Sequence, residues 1–160
     1  MARQRGTVGA GVLLGLLVLA VAGCSGKPEP EKNEQPGVKD EQSAVKAIEK
    51  LGGTVRVDAK RPGKPVVDVD LSGTTVAGAE LKELKELKSL QGLRLGDTKV
   101  TDAGLKELKE LKRLQELDLS ITKVTDAGLK ELKEIKSLQA LDLSDTKVTD
   151  TGLKELKELK

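Results

Sequence analysis

The hydrophobic pattern of the second half of the chain repeats at a fixed interval. Leu93, Leu117 and Leu141 are 24 residues apart, and Val69 stands 24 residues before Leu93. A fixed period of about 20–50 residues indicates a solenoid, in which one small unit is stacked on the next. The pattern therefore predicts four units. They are 69–92, 93–116, 117–140 and an incomplete 141–160.

Within one unit the hydrophobic spacing changes from that of a strand to that of a helix. Leu93 and Leu95 alternate with polar residues, which indicates a strand with one buried face. Leu105, Leu108 and Leu111 then recur every three residues between Lys and Glu, which indicates a short helix with one apolar stripe. Because a single unit cannot bury its apolar face alone, we predict parallel strands stacked beside one another with the helices outside. The predicted fold class is α/β.

The helices of the last three units have a Thr-Asp pair at their predicted start. In the second unit the pair is Thr101-Asp102. A threonine side chain can cap the first helical turn, and an acidic residue there interacts favourably with the helix dipole. The pair therefore predicts the beginning of the helix.

One threonine per unit lies three residues after the second strand leucine and two residues before a valine. The set is Thr74, Thr98, Thr122 and Thr146. A hydroxyl at this place in the unit would face inward where the chain turns. Since buried hydroxyls are hydrogen-bonded, we expect each to bond a backbone group of the neighbouring turn. The alternative is an exposed turn threonine.

The N-terminus has the pattern of an export signal. Arg3 and Arg5 precede an apolar run over 8–23, which is short for a membrane-spanning helix of about 20 apolar residues. Charge, apolar core and small residues in this order predict a signal peptide over 1–23, and the alternative is an uncleaved anchor helix. Residues 24–40 are charged and rich in Pro and Gly, which predicts a flexible tether.

Residues 41–68 do not match the repeating unit and are predicted to be an N-terminal cap. A helix is predicted from apolar residues at helical spacing, with Asp40 or Ser43 at its start and Gly52-Gly53 at its end. The segment 54–58 then alternates as a strand does, and a Pro-Gly turn leads to a second strand from Val66.

Charge and composition exclude several functions. Of 28 Lys and Arg residues, two are in the predicted signal, which leaves 26 against 26 Asp and Glu. There is no aromatic residue for base stacking and no basic excess, so nucleic acid is not an expected partner. Histidine is absent, and the only cysteine is Cys24. Because Ser, Lys and Asp recur at equivalent repeat positions, no unique catalytic constellation exists. The chain is predicted not to be an enzyme, with no cofactor.

The candidate binding residues are those that point outward from the strands. They are Asp70, Arg94, Asp118 and Asp142, with Ser72, Gly96, Ser120 and Ser144 two residues further on. Neighbouring strands lie about 4.8 Å apart, which would bring the first four side chains together in a mildly acidic row. The interpretations are a protein-binding surface or a solvated face without a ligand. Two carboxylates and two serines fall short of the six oxygens that calcium needs, so no metal site is predicted.

Two motifs resemble known families. The pattern L-x-x-L-x-L-x-x-T-x-V-T-D-A-G-L-x-x-L-x-x-L fits Leu90 to Leu111. It resembles the leucine-rich repeats of planctomycete-type bacterial proteins and is similar to the V/I-T-D-x-G-L repeats of F-box and ribonuclease-inhibitor-like proteins. This resemblance implies a right-handed horseshoe segment with a concave parallel sheet and convex helices. Val21-Ala22-Gly23-Cys24 resembles the bacterial lipobox, which implies cleavage before Cys24, a thioether lipid on its sulfur and acylation of its amino group.

The expected function is a lipid-anchored protein–protein interaction module of the bacterial cell envelope. The membrane contact would be the lipid at Cys24, and the partner a protein. The alternative is a structural envelope component that self-associates. Because the unit 141–160 lacks the closing Ser/Arg-Leu-Gln segment of the other units, we expect a frayed last helix or end-to-end self-association through an open strand edge, unless the chain is a shortened copy of a longer repeat sequence.

Overall fold

The computed structural model describes residues 38–157, and side chains from Glu41 to Lys157. Five strands form one sheet in the order β1 to β5. The strands are β1 Thr54–Val57, β2 Val66–Asp70, β3 Gly92–Arg94, β4 Glu116–Asp118 and β5 Ala140–Asp142. β1 runs antiparallel to β2, and the strands from β2 to β5 are parallel. The predicted parallel stacking of the repeating units is therefore confirmed.

A helical segment follows each of the four parallel strands, β2 to β5. The α-helices are α1 Val38–Lys50, α2 Asp102–Leu105, α3 Asp126–Leu132 and α4 Asp150–Leu153. The 3₁₀ segments are Glu80–Glu86, Lys106–Glu110 and Lys154–Leu156. The spacing of three between Leu105, Leu108 and Leu111 suits a 3₁₀ helix, which has three residues per turn. The predicted helices exist, but much of their length is 3₁₀ and not α.

The core is a stack of leucines that the parallel register aligns. Leu93 pairs with Leu117, and Leu117 pairs with Leu141. Leu93 and Leu117 are at most 2% exposed, and the helix leucines Leu105 and Leu108 are fully buried against them. The hydrophobic effect of burying the strand and helix leucines together therefore holds the units in line.

The repeat threonines are placed largely as predicted, but they bond a different partner. Thr98 and Thr122 are buried, and each hydroxyl donates to the carbonyl three residues earlier, at 2.6 Å from Leu95 O and from Leu119 O. The predicted partner in the neighbouring turn was wrong. The chain turns sharply after the strand, so the nearest acceptor is a carbonyl of the same unit. Thr74 and Thr146 make the same bond and are half-buried.

The Thr-Asp pairs at the helix starts differ from the prediction in one unit. Thr125 and Thr149 accept a hydrogen bond from the backbone N–H two residues on, each at 3.2 Å. Thr101 makes no such side-chain cap. The three threonines all have extended backbone, so the helix boundary is predicted correctly even where the cap hydrogen bond is absent.

The segment before the repeats forms α1 and β1. Because α1 is already helical at Val38, Asp40 and Ser43 lie inside it, and neither is its start as predicted. The last three residues of the predicted tether 24–40 are therefore helical. Ala44 and Ile48 of α1 are buried in the core, while the assignment of 41–68 as a cap stays a prediction. The predicted signal 1–23, Cys24 and the tether up to residue 37 lie outside the described residues.

The fourth unit is more exposed than the units before it. Among the described strands, β5 pairs only with β4. Leu153 is 47% exposed, whereas Leu129, its equivalent one unit earlier, is fully buried. Leu141, Leu143, Val148 and Leu156 are only partly buried. Within residues 38–157, β5 therefore has a neighbouring strand on one side only, and its helix is formed to Leu156.

Candidate protein-binding surface

The four predicted outward residues lie in one row across the parallel strands. Asp70 pairs in register with Arg94, Arg94 with Asp118, and Asp118 with Asp142. We call the side of the sheet that carries them, opposite the leucine core, the open sheet face. The structure brings these side chains together on β2 to β5, and their role in binding stays a prediction.

Each aspartate of the row also shapes the turn that follows its strand. Asp70, Asp118 and Asp142 accept the backbone N–H of the serine two residues on, at 2.9, 2.8 and 2.9 Å. The Asp142 carboxylate additionally accepts the Ser144 hydroxyl at 2.6 Å. The hydrogen bonds from the hydroxyl and the backbone N–H of Ser144 lower the pKa of Asp142. One oxygen of each aspartate is thus used locally, and the D-x-S spacing has a structural role in every unit that carries it.

Arg94 pairs with a residue that the sequence analysis did not single out. Its Nη1 is 3.1 Å from Oδ1 of Asp68, and Nη2 of Arg56 is 2.9 Å from Oδ2 of the same carboxylate. Arg94 therefore bonds neither Asp70 nor Asp118, its neighbours in the row. The Asp68 side chain is 9% exposed, whereas those of Arg56 and Arg94 are 72% and 49% exposed. One buried carboxylate thus links β1, β2 and β3.

The glycine of β3 makes this ion pair possible. Gly92 stands beside Asp68 in the parallel register, and a Cβ on Gly92 would lie 2.6 Å from Oδ2 of Asp68. The equivalent residues in later units are Glu116 and Ala140. At this repeat position (68, 92, 116 and 140) Asp and Gly each occur once, in neighbouring units. This was the sequence signal that could have revealed the ion pair between Asp68 and Arg94.

The open sheet face has a shallow depression of about 370 Å³. It is lined by residues 92–94, 116–118 and 140–142. Arg94 lies on β3, Asp118 on the middle strand β4 and Asp142 on β5, and all three line the depression. The arrangement provides charged hydrogen-bonding groups around a space that a partner's side chain could enter.

The described residues offer neither metal chemistry nor a membrane-spanning helix. From Glu41 to Lys157, no three His, Cys, Asp or Glu side chains cluster in a way that could hold a metal ion. No helix within residues 38–157 has the length and apolarity to cross a membrane.

Comparison with known proteins agrees with the repeating architecture. A family model described as Leucine Rich repeat matches residues 112–133 and 135–157. Together with the parallel sheet and the 24-residue units, this match confirms the predicted fold class, an α/β solenoid of leucine-rich repeats. No curated protein matches the sequence. The assignment to planctomycete-type lipoproteins stays a prediction.

Two solved structures are similar in part. The LRR ectodomain of the receptor kinase SOBIR1 from Arabidopsis thaliana is 19% identical, with a TM-score of 0.44, covering 76% of this chain and 76% of that one. An internalin (inlF) from Listeria monocytogenes str. 4b F2365 is 20% identical, with a TM-score of 0.36, covering 50% of this chain. The match spans 30% of the internalin chain.

Proposed function

We propose that this protein is a protein-binding module that holds its partner on the open sheet face. Leucine-rich-repeat proteins generally mediate protein–protein interaction. The observation that carries the proposal is the row of Arg94, Asp118 and Asp142 around a depression of about 370 Å³. A protein surface supplies the hydrogen-bonding groups that such a row would pair with, and arginine is a frequent contributor to binding energy at protein interfaces.

The charges of the open sheet face favour a protein over a nucleic acid. Glu116, Asp118 and Asp142 line the depression together with a single arginine, Arg94. A phosphate backbone would be repelled by these carboxylates, since nucleic-acid binding depends on neutralising phosphates with Lys and Arg. The whole chain also has no aromatic residue that could stack on bases.

Position-specific cross-linking tests the proposal. A photoreactive amino acid replaces Ala140, which is exposed and lines the depression, and in the control it replaces Ala127, which is exposed at the start of α3. We expect a discrete protein adduct from position 140 and none from 127 in the cell that makes the protein. Arg94→Glu with Asp118→Lys should abolish that adduct, and circular dichroism checks that the double variant is folded, because it loses the Arg94–Asp68 ion pair. An adduct at 127 alone, or one that survives this double reversal, would contradict the proposal.

We propose further that a lipid at Cys24 anchors the module to a membrane of the bacterial envelope. The support is the likeness of Val21-Ala22-Gly23-Cys24 to a lipobox after an apolar run. Intact-mass measurement of the mature protein should show a chain that begins at Cys24 and carries acyl mass, and Cys24→Ser should leave the precursor uncleaved. A mature chain that begins at Cys24 without acyl mass would contradict the anchor.

Self-association is a second candidate function, favoured by the exposed fourth unit, in which β5 has a neighbour on one side only among the described strands. Unpaired strand edges invite pairing with another chain, and the neighbouring Leu153 is 47% exposed. Sedimentation of the lipid-free protein over a concentration series should then show dimers. Leu153→Lys should weaken the dimer about tenfold, which is about 1.4 kcal/mol. Ile121→Lys, at a side chain that is 55% exposed elsewhere, should not. A monomer at every concentration would contradict self-association.

A further inference from the structure

We propose that Ile121 is the apolar anchor of the partner-binding surface, and that the partner is a protein with an apolar pocket that takes this one branched side chain. Ile121 lies in the turn that follows β4, the middle strand of the three that line the depression on the open sheet face. The inference rests on the proposed function, because it names a specificity-determining residue of that surface and the kind of partner surface that would recognise it.

The backbone of this turn does not suit an isoleucine. The φ of Ile121 is +54°, and the equivalent residues of the other units, Gly73, Asp97 and Asp145, also have positive φ. Glycine adopts this conformation without steric cost, and aspartate tolerates it because its short polar side chain can hydrogen-bond locally. A β-branched residue is an outlier there. The fold therefore requires left-handed backbone at this position in every unit, but it does not require isoleucine.

Burial of the side chain does not compensate for this strain. From Glu41 to Lys157, the exposed large apolar side chains are Val57, Leu153 and Ile121, and Ile121 is the most exposed of them at 55%. Strained backbone clusters at ligand-binding and switch sites, and proteins depart from the locally favoured residue mainly at functional positions. The contact that compensates for the strain at Ile121 is therefore one with another molecule.

The turn holds the Ile121 side chain in a fixed place. Its backbone N–H donates to Ser144 O in the next unit at 2.9 Å. Beside it, the buried Thr122 hydroxyl donates to Leu119 O at 2.6 Å. A β-branched side chain also has few rotamers. Binding would therefore immobilise little that is not already ordered, and preorganisation of this kind strengthens association.

The surroundings of Ile121 select for apolarity and shape, and not for charge. The turns stack in register, so the exposed Asp97 and Asp145 flank Ile121 on its two sides. Exposed lysines two residues further along the same turns offset their charge, and these are Lys99, Lys123 and Lys147. An apolar centre with a charged, solvated rim is the usual anatomy of a protein–protein contact. Insertion into a membrane would instead require bulky or aromatic side chains beside a basic face.

One partner surface can cover both Ile121 and the depression. Ile121 is three residues after Asp118, which lines the depression. Because an extended chain rises about 3.3 Å per residue, the two residues are at most about 10 Å apart along the chain. A stable interface buries about 800 Å² on each partner, which is a patch roughly 30 Å across. A protein that occupies the depression would therefore also meet Ile121.

The experiment uses the photoreactive amino acid at position 140 as its probe and measures the adduct yield per amount of full chain in the cell. Ile121→Asn should lower this yield at least tenfold, whereas Ile121→Leu, which keeps an apolar side chain of the same size, should stay within threefold of the wild type. In thermal unfolding, Ile121→Asn should be at least as stable as the wild type. A lost adduct in a protein of undiminished stability is a result that a purely structural role of Ile121 would not produce.

Other results would overturn the anchor. If Ile121→Asn keeps the full yield while Arg94→Glu with Asp118→Lys abolishes it, the anchor fails and the proposed function stands. If Ile121→Leu loses as much as Ile121→Asn, recognition of an apolar side chain is refuted. With the photoreactive amino acid at position 121 itself, an adduct to phospholipid instead of to the protein captured at 140 would assign Ile121 to a membrane surface. If the wild type gives no adduct at position 140, the proposed function fails, and this inference fails with it.

Discussion

The Asp102 carboxylate accepts two hydrogen bonds from Thr125, which belongs to the next repeat. Oδ1 is 2.8 Å from the Thr125 backbone nitrogen, and Oδ2 is 2.7 Å from its hydroxyl oxygen. Asp126 bonds Thr149 in the same way at 2.7 Å and 2.7 Å. In a solenoid, stability arises from contacts between neighbouring units. The Thr-Asp pair therefore joins one unit to the next, in addition to marking the start of each helix.

This contact between repeats predicts a pH dependence of stability. Hydrogen bonds from the Thr149 hydroxyl, and then from its backbone N–H, lower the pKa of Asp126 below its ordinary value of 3.8. A carboxyl whose pKa is lowered on folding contributes stability above its unfolded-state pKa, and this stability is lost as pH falls through the folded-state pKa. The wild type should therefore lose unfolding free energy as the pH falls from about 5 to about 2. Asp126→Asn should lose less over the same range, as measured by denaturant titration.

Asp150→Asn is the matched control, because Asp150 has the same place in the fourth unit but, within residues 38–157, no threonine 23 residues further on to bond as Thr149 bonds Asp126. It should leave the pH dependence unchanged. If Asp126→Asn and the control give the same slope as the wild type, the contact with Thr149 does not stabilise the fold.

The glycine of the second T-D-A-G-L motif, Gly128, is predicted to be required by the same contact. A Cβ on Gly128 would lie 2.5 Å from Oδ1 of Asp102 and 2.8 Å from the Leu105 side chain. Gly128→Ala should cost about 1–3 kcal/mol of unfolding free energy, as overpacking does. In the double variant with Asp102→Ala the cost should be smaller than the sum of the two single changes, because one clash partner is gone. Additive costs from denaturant titration would show that the two positions are independent.

The sequence predicts features that depend on period and does not predict those that depend on local geometry. Leucines 24 residues apart must align when units stack, so the register and the row through Arg94 follow from counting. The partner of Arg94 does not, because Asp68 is reached only when Gly92 leaves space above β3. Likewise, the two hydrogen bonds that Thr125 donates to Asp102 cross between units, and they depend on how far each helix start is offset from the next.

The buried repeat threonines give a prediction about stability. The Thr122 hydroxyl is buried and donates to Leu119 O at 2.6 Å. Thr122→Val keeps the shape of the side chain but leaves that carbonyl without this donor, so it should cost about 1–3 kcal/mol. Thr75→Val, at an exposed threonine, should change the unfolding free energy by less than about 0.5 kcal/mol. Equal effects of the two substitutions in thermal unfolding would refute a role for the buried hydroxyl.

Ile121 is predicted to be a weak point of the third unit. Its φ is +54°, at a turn position where the other units have Gly73, Asp97 and Asp145, all with positive φ. Left-handed backbone costs an ordinary L-residue about 1–2 kcal/mol, and a β-branched side chain is especially unsuited to it. The side chain is also 55% exposed, so replacing it sacrifices little burial. Ile121→Asn should therefore raise the unfolding free energy by about 0.5–1 kcal/mol, since asparagine tolerates this conformation. Asp145→Asn, which exchanges two tolerant residues, should leave it unchanged. A loss of stability in Ile121→Asn, measured against this control, would mean that the isoleucine side chain makes a stabilising contact that outweighs its backbone strain.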